Sequence, residues 1–344
     1  MKAAVLTDVR SVRIREVPQP KIEKPDDVLL RTAVAGLCGS DLHYFLSGAV
    51  GGEMVLYPII VGHECAAVVA EVGQAVKRVK PGDRVAVDPA ISCGRCDQCL
   101  GRRPHTCREL RFLGRPGEKD GCLAEFFVMP ERNLFPFFGS MTMSEAMLAE
   151  PLSIALHAIK LGGTNLGGSI AVLGAGPIGL CVILGLKADR AVDIFATDRS
   201  DDRAKAALRA GAAWASNPDR EDIVQAILDR RPHGLDAVFE ASGDPAAIAQ
   251  AVELVKPGGT IFQIGIPVEE HFVYPAAKLR RKEIILRNVR RQNQTMEWAL
   301  LLIGTKHLDI AWLATHAFPL KDAQKAFALA AERKNGIIKA SIVF

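Results

Sequence analysis

Cysteine, histidine and carboxylate side chains are the groups in this chain whose spacing could do chemistry. Cys93, Cys96, Cys99 and Cys107 follow the pattern C-x2-C-x2-C-x7-C. Four thiolates close a tetrahedral zinc and leave no open position, so this set predicts a structural zinc lobe over about residues 90–112. An iron–sulfur cluster, serving electron transfer, is the other metal group such a run could hold. A second set is dispersed: Cys38 within Gly36-Leu37-Cys38-Gly39-Ser40-Asp41-Leu42-His43, His63-Glu64 after Gly62, and Glu150 before Pro151. Singly, each has an explanation in packing or hydrogen bonding. Jointly, Cys, His and carboxylate make a three-ligand zinc shell with a fourth position left open, as a catalytic zinc requires. Cys122 and Cys181 read as apolar thiols.

A third constellation is Gly174-Ala175-Gly176-Pro177-Ile178-Gly179, the spacing G-x-G-x-x-G. It follows a strand-like run at 169–173 and opens a helix-like run at 177–188. In that context Gly174 permits the tight turn, Gly176 lets a pyrophosphate approach the backbone, and Gly179 lets helix and strand pack closely. Pro177 and Ile178 stand at the helix start that faces the phosphates. Asp198 ends the next strand about 20 residues on, where a carboxylate accepts ribose hydroxyls and repels a 2′-phosphate. NAD is therefore the expected dinucleotide. Arg199 could stack on adenine or accept a phosphate, which keeps NADP open, and Arg203 is the further candidate for cofactor contact.

The elements that must position these groups fall into two textures. The first ~90 residues alternate short β-branched runs (28–35, 66–72, 83–87) with Gly, Pro and Asp breaks, an all-β rhythm. From about residue 152, strands and helices alternate at 169–173, 177–188, 193–197, 201–210 and 235–239, predicting a parallel sheet with helices on both faces. A helix at 246–255 is expected to stop at Lys256-Pro257-Gly258-Gly259, with a strand at 260–266 serving as a candidate interface edge. The tail carries an amphipathic stretch at 321–332 and a strand at 339–344. With 344 residues, two domains are expected.

Composition excludes several classes. Hydrophobic residues at 49% and charged residues at 24% describe a globular protein, and the apolar runs are too short to span a bilayer. The apolar stretch after Lys2 is shorter than a signal peptide's core, so the cytoplasm is the expected location. A net charge of +4 with interspersed signs gives no support to nucleic-acid binding. Five of the eight cysteines lie between Cys93 and Cys122. In a reducing compartment such clustering points to metal rather than to disulfides.

Taken together, C-G-S-D-x-H, G-H-E, the four-cysteine lobe and the G-x-G-x-x-G loop, in this order along the whole chain, resemble the zinc-containing medium-chain alcohol dehydrogenases. Cys38-Gly39-Ser40-Asp41-Leu42-His43-Tyr44 with Glu150-Pro151-Leu152-Ser153 is similar to the polyol branch of sorbitol, iditol and xylitol dehydrogenases, with threonine dehydrogenase as a near cousin. One departure is Ala67, where the family has glycine.

The resemblance implies an α/β architecture: a GroES-like β-barrel over 1–150 and 288–344, and a Rossmann domain, doubly wound around a parallel sheet, over 151–287. It implies two zinc ions and NAD. Cys38 and His63 would ligate the catalytic zinc. Glu64 would be the third ligand, with Glu150 holding water or exchanging with it, although adjacent strand residues face opposite ways and Glu64 could instead stand behind His63. Ser40 and His43 would carry the released proton outward. Tyr44, Phe112 and Arg291 would meet the substrate. Arg291 is the match to a family arginine that contacts substrate hydroxyls, and Arg290 and Gln292 stand where the family has aromatic residues.

The expected reaction is hydride transfer from a secondary alcohol of a linear polyol to NAD. Arg290 beside Arg291 leaves room for a phosphorylated polyol, and an amino alcohol such as threonine is the other enzyme reading. A non-catalytic crystallin-like relative would lack the zinc ligands. The family suggests homodimers or homotetramers.

Overall fold

Strand Asp27–Gly36 is buried along most of both faces, which is why it reads as a near-continuous Val, Leu and Ala run rather than an alternation. One edge pairs with Glu64–Val72. The other edge is shared: its first half takes Phe126–Pro130 and its second half takes Ala340–Val343, bringing the end of the chain into this sheet. The sheet continues through Arg84–Val87 to Leu134–Pro136 on one side and to His316–Pro319 on the other. Leu30, Val69, Val85, Phe127, Leu134 and Ile342 pack into its core. Ala67 is fully buried, opposite Thr32 and Val85, so its Cβ fits the ladder where the family has glycine.

This computed structural model describes residues 1–50, 53–189, 192–267 and 271–344. Met1–Glu150 and Asn293–Phe344 form one unit, and Pro151–Gln292 forms the other. Among the described residues, no helix is long and apolar enough to cross a membrane.

The second unit is a parallel sheet of six strands, in the order Trp214–Ser216, Asp193–Thr197, Ser169–Leu173, Leu235–Glu240, Val255–Gln263, Ile285–Asn288. Chain order reverses between Ser169–Leu173 and Leu235–Glu240. That is the topological switch point, and ligands of such sheets bind outside the carboxyl ends of the strands there. Helix Pro177–Asp189 begins at proline, whose fixed φ suits a first turn, and Leu180, Val182, Ile183 and Leu186 are fully buried.

Two expectations are corrected. The strand expected at 260–266 begins at Val255, directly after helix Pro245–Leu254, and it is no edge. It lies between Leu235–Glu240 and Ile285–Asn288, and the latter is the outer strand. The helix does stop ahead of Lys256-Pro257-Gly258-Gly259, as expected, but these residues lie within the strand, whose register shifts there. Leu235 faces Val255 while Ala237 already faces Thr260, so these residues bulge out of the ladder. Strand Trp214–Ser216 and helix Ile223–Arg230, capped by Asp222, stand where no element was expected.

Candidate active site

Cys38 occupies the N-cap of helix Gly39–Ser47 with an extended backbone, φ −86° and ψ 159°. Asp41, three residues on, accepts the Cys38 N–H at 2.9 Å through Oδ2, a reciprocal cap that fixes where the thiol stands. The other oxygen, Oδ1, accepts the Gly62 N–H at 3.3 Å and lies 3.7 Å from His63 Nδ1. A single buried carboxylate thus sets both Cys38 and His63. His63 precedes strand Glu64–Val72, 6% exposed, and the Phe112 ring stands 5.1 Å from its imidazole.

Ligand atoms of Cys38, His63 and Glu64 lie within 4.8 Å of one another. Glu64 is at the same time held by Lys339, whose Nζ donates at 2.7 Å to Oε1 and 2.6 Å to Oε2, with a third bond to the Leu37 carbonyl. Gly36 makes room for that carboxylate, since a Cβ there would stand 2.6 Å from Glu64 Oε2. Glu150, in the first turn of helix Ala149–Gly162 and 4% exposed, belongs to the same electrostatic cluster.

The protonation tendencies in the cluster share a cause. Burial, then Glu64, pushes the Cys38 thiol up to about 12. Burial also pushes Asp41 above the usual carboxylate range, and Glu150 well above it. For His63, burial favours the neutral ring, but Asp41, Glu150 and Glu64 together carry it above its ordinary value. A buried set of acids held next to one another this way suits a divalent cation, which favours the charged form of every donor. The Cys–His–carboxylate donor set fits zinc.

The cysteine lobe passes a metric test. With Zn–S near 2.3 Å, tetrahedral geometry puts sulfurs about 3.8 Å apart. Cys96 lies 3.6 Å from Cys99 and 3.8 Å from Cys107, and Cys93 lies 4.0 Å from Cys99. All four offer ligand atoms within one metal's reach. Helix Asp97–Leu100 and the exposed Arg108–Asp97 pair hold the loop in shape.

In the second unit, Gly174 has φ +96° and a Cβ on Gly179 would stand 1.8 Å from the Gly174 carbonyl oxygen, so loop and helix close on each other. Gly176 is different. The nearest atom to a Cβ there would be an Arg203 guanidinium nitrogen at 3.6 Å, which leaves its face open to a ligand. Asp198 Oδ2 accepts the Ala175 N–H of this loop at 2.9 Å and Oδ1 accepts the Ser200 N–H at 2.8 Å. Loop and carboxylate fit a dinucleotide.

The other expected site residues are placed as follows. Ser40 stands two residues after Cys38 in the first turn of helix Gly39–Ser47, and His43 is half-buried one turn on in the same helix, with burial favouring its neutral form. Tyr44 packs against the first unit's core. Arg291 is half-buried with φ +54°, between Ile285–Asn288 and helix Met296–Gly304. Asp41 and Lys339 were not singled out beforehand. Asp41 had a signal, standing three residues after a cysteine before a helix; Lys339 had none. Cys122 and Cys65 are both fully buried in the first unit's core, and burial pushes the Cys122 thiol well up.

Two families match this chain: one described as an alcohol dehydrogenase GroES-like domain, over 24–138, and one described as zinc-binding dehydrogenase, over 177–304. The sorbitol dehydrogenase of Bacillus subtilis (strain 168) is 34% identical over 343 residues, 99% of this chain and 97% of that protein. Galactitol-1-phosphate dehydrogenase from Escherichia coli superposes with TM-score 0.91 at 27% identity, over the full length of both chains. A zinc-binding dehydrogenase from Sinorhizobium meliloti 1021, bound to NADP, superposes with TM-score 0.90 at 29% identity, covering 100% of this chain and 99% of that one. With identity and coverage of this order, and with both donor sets in place, the chain belongs to the zinc-binding alcohol dehydrogenase family, a GroES-like domain joined to a Rossmann-like one.

Proposed function

We propose that this protein oxidises a secondary alcohol of a linear polyol with NAD, giving a ketose. The observation that carries the reading is the Cys38–His63–Glu64 donor set, half-buried at Cys38 and buried at the other two, held in place by Asp41 and Lys339. Its likeness to a sorbitol dehydrogenase over nearly the whole chain supports the substrate class.

Cys38, His63 and Glu64 would hold the catalytic zinc, with Glu150 beside it, and Cys93, Cys96, Cys99 and Cys107 the structural one. Bound there, the catalytic ion makes a hydroxyl more acidic, and NAD supplies the hydride acceptor. The chain's own residues do the rest. Gly174, Gly176 and Gly179, with Pro177 and Ile178 in the first helical turn, receive the pyrophosphate. Asp198 and Arg203 orient the adenosine end. Ser40 and His43 lead the proton away from the alcohol. Phe112 beside His63 walls the site, and Tyr44 and Arg291 are the candidates for the substrate's further hydroxyls. We place the enzyme in the cytoplasm as a homodimer or homotetramer. Strand Ile285–Asn288, paired on one side and with Ile285 exposed, supports an edge-to-edge contact.

A phosphorylated polyol is the second reading. It is favoured by the likeness to galactitol-1-phosphate dehydrogenase and by exposed Arg290 next to Arg291. One panel tests both: kcat/KM for NAD reduction with sorbitol, xylitol, sorbitol 6-phosphate, threonine and 2-butanol. Polyols should exceed 2-butanol by at least about 100-fold, because a site built to bind hydroxyls is left with unpaired groups by an alkyl alcohol. Equal efficiency with 2-butanol would overturn the polyol reading.

A further inference from the structure

Arg199 is the residue that could turn this dinucleotide site toward NADP, since it follows the ribose carboxylate Asp198 and an arginine there can take a 2′-phosphate. In the structure its guanidinium is engaged. Nε donates to Asp219 Oδ2 at 2.9 Å.

Asp219 is placed by architecture rather than by chance. Asn217, 8% exposed, uses both ends of its amide: Nδ2 donates to the Arg199 carbonyl and to Asp201 Oδ1, each at 2.9 Å, while Oδ1 accepts the Asp219 N–H at 2.9 Å. Arg220 closes the same turn with a bond to Asp201 and a backbone bond to the Asn217 carbonyl. The Asp198 N–H in turn donates to the Ser216 carbonyl, so the segments 198–201 and 216–220 are laced together. The carboxylate of Asp219 therefore meets Arg199 at a fixed offset from Asp198.

We propose that Asp219 is a specificity-determining residue: it holds the Arg199 guanidinium, neutralises it, and so denies a 2′-phosphate the cation it needs. The inference rests on the reading that the chain takes NAD, and it adds a second carboxylate to the one at Asp198. Asp198 disfavours a 2′-phosphate by charge repulsion where it would accept the ribose hydroxyls, whereas Asp219 works by engaging the neighbouring cation.

The test is a double-mutant cycle on zinc-loaded full-length protein, read by equilibrium binding of NAD, NADP, AMP and adenosine 2′,5′-bisphosphate as well as by turnover. Asp219→Ala should raise the affinity ratio for the 2′-phosphorylated over the plain nucleotide by about 3- to 5-fold, the range of an exposed ion pair. Salt at 0.5 M or so should shrink the gain, since the released cation is screened within a few ångströms. Arg199→Ala alone should leave the ratio nearly unchanged, and in the Asp219→Ala background it should erase the gain. Melting temperatures should not move in step with the ratio.

An unchanged ratio in Asp219→Ala, with wild-type NAD binding intact, overturns the role of Asp219 and leaves the cofactor reading standing. A gain that survives in the double variant also overturns it, because Asp219 would then act by direct repulsion. A wild type that prefers NADP, or binds neither dinucleotide, removes the cofactor reading and this proposal with it.

Discussion

Lys339 Nζ lies 2.6 and 2.7 Å from the two oxygens of Glu64, with the two side chains 2% and 1% exposed. The pair joins the first residue of strand Glu64–Val72 to the residue just before strand Ala340–Val343. Breaking such a pair from one side leaves a buried charge without its partner and costs about 3–5 kcal/mol. Lys339→Met should lose stability of that order in chelator-treated protein. A divalent cation beside Glu64 replaces the missing charge, so zinc should restore part of the loss. Urea unfolding with and without EDTA checks this; equal losses under both conditions would show that Glu64 does not face the metal.

The glycine loop offers a separation of fold from binding. At Gly179 a Cβ would meet the Gly174 carbonyl oxygen at 1.8 Å, so Gly179→Ala must force the helix away from the loop. At Gly176 nothing nearer than 3.6 Å stands in the way. Gly176→Ala should therefore fold with nearly the wild-type melting temperature and bind NAD more weakly, about tenfold or more if a single close pyrophosphate contact of 1–2 kcal/mol is lost. Gly179→Ala should lose several degrees in Tm as well. Similar melting curves for the two would mean that the crowding at Gly179 relaxes without cost.

How far the sequence was readable follows from how local each signal is. The cysteine lobe, the G-x-G-x-x-G loop and Cys38 with Asp41 are written within a few residues of chain, and capping or coordination needs only that spacing. The Lys339–Glu64 pair spans 275 residues, and no local pattern announces it. Lys256-Pro257-Gly258-Gly259 marks the end of the helix but hides the start of the next strand for a related reason: pairing of Val255 with Leu235 and of Thr260 with Ala237 carries that strand across it. The edge role thus passes from the strand containing Thr260 to Ile285–Asn288, a short segment whose mostly exposed residues give little periodic signal.

Metal analysis separates the two donor sets. The wild type should hold two zinc ions per chain, as expected of one closed and one open site. Cys96→Ser should retain one and unfold more readily. It removes a sulfur 3.6 Å from Cys99 and 3.8 Å from Cys107, so the lobe loses its tetrahedron. Cys38→Ser should retain the other and lose turnover while its melting temperature stays close to wild type. Full turnover by Cys38→Ser would overturn the assignment of the catalytic site.

Asp41 gives the sharpest check on positioning. Its carboxylate is fully buried and holds the Cys38 N–H, the Gly62 N–H and the His63 ring together. Replacement by asparagine keeps the size and one acceptor oxygen but removes the charge opposite His63. The expected result is a 10–100-fold fall in zinc affinity or in kcat/KM, the usual effect of losing a carboxylate behind a histidine ligand. The charge of Asp41 raises the His63 pKa, so without it the ring should titrate lower in metal-free protein. NMR titration of the metal-free protein reads that shift, and zinc competition reads the affinity. A merely structural role for Asp41 would lower stability while leaving the His63 titration and the zinc affinity of the folded fraction where they were.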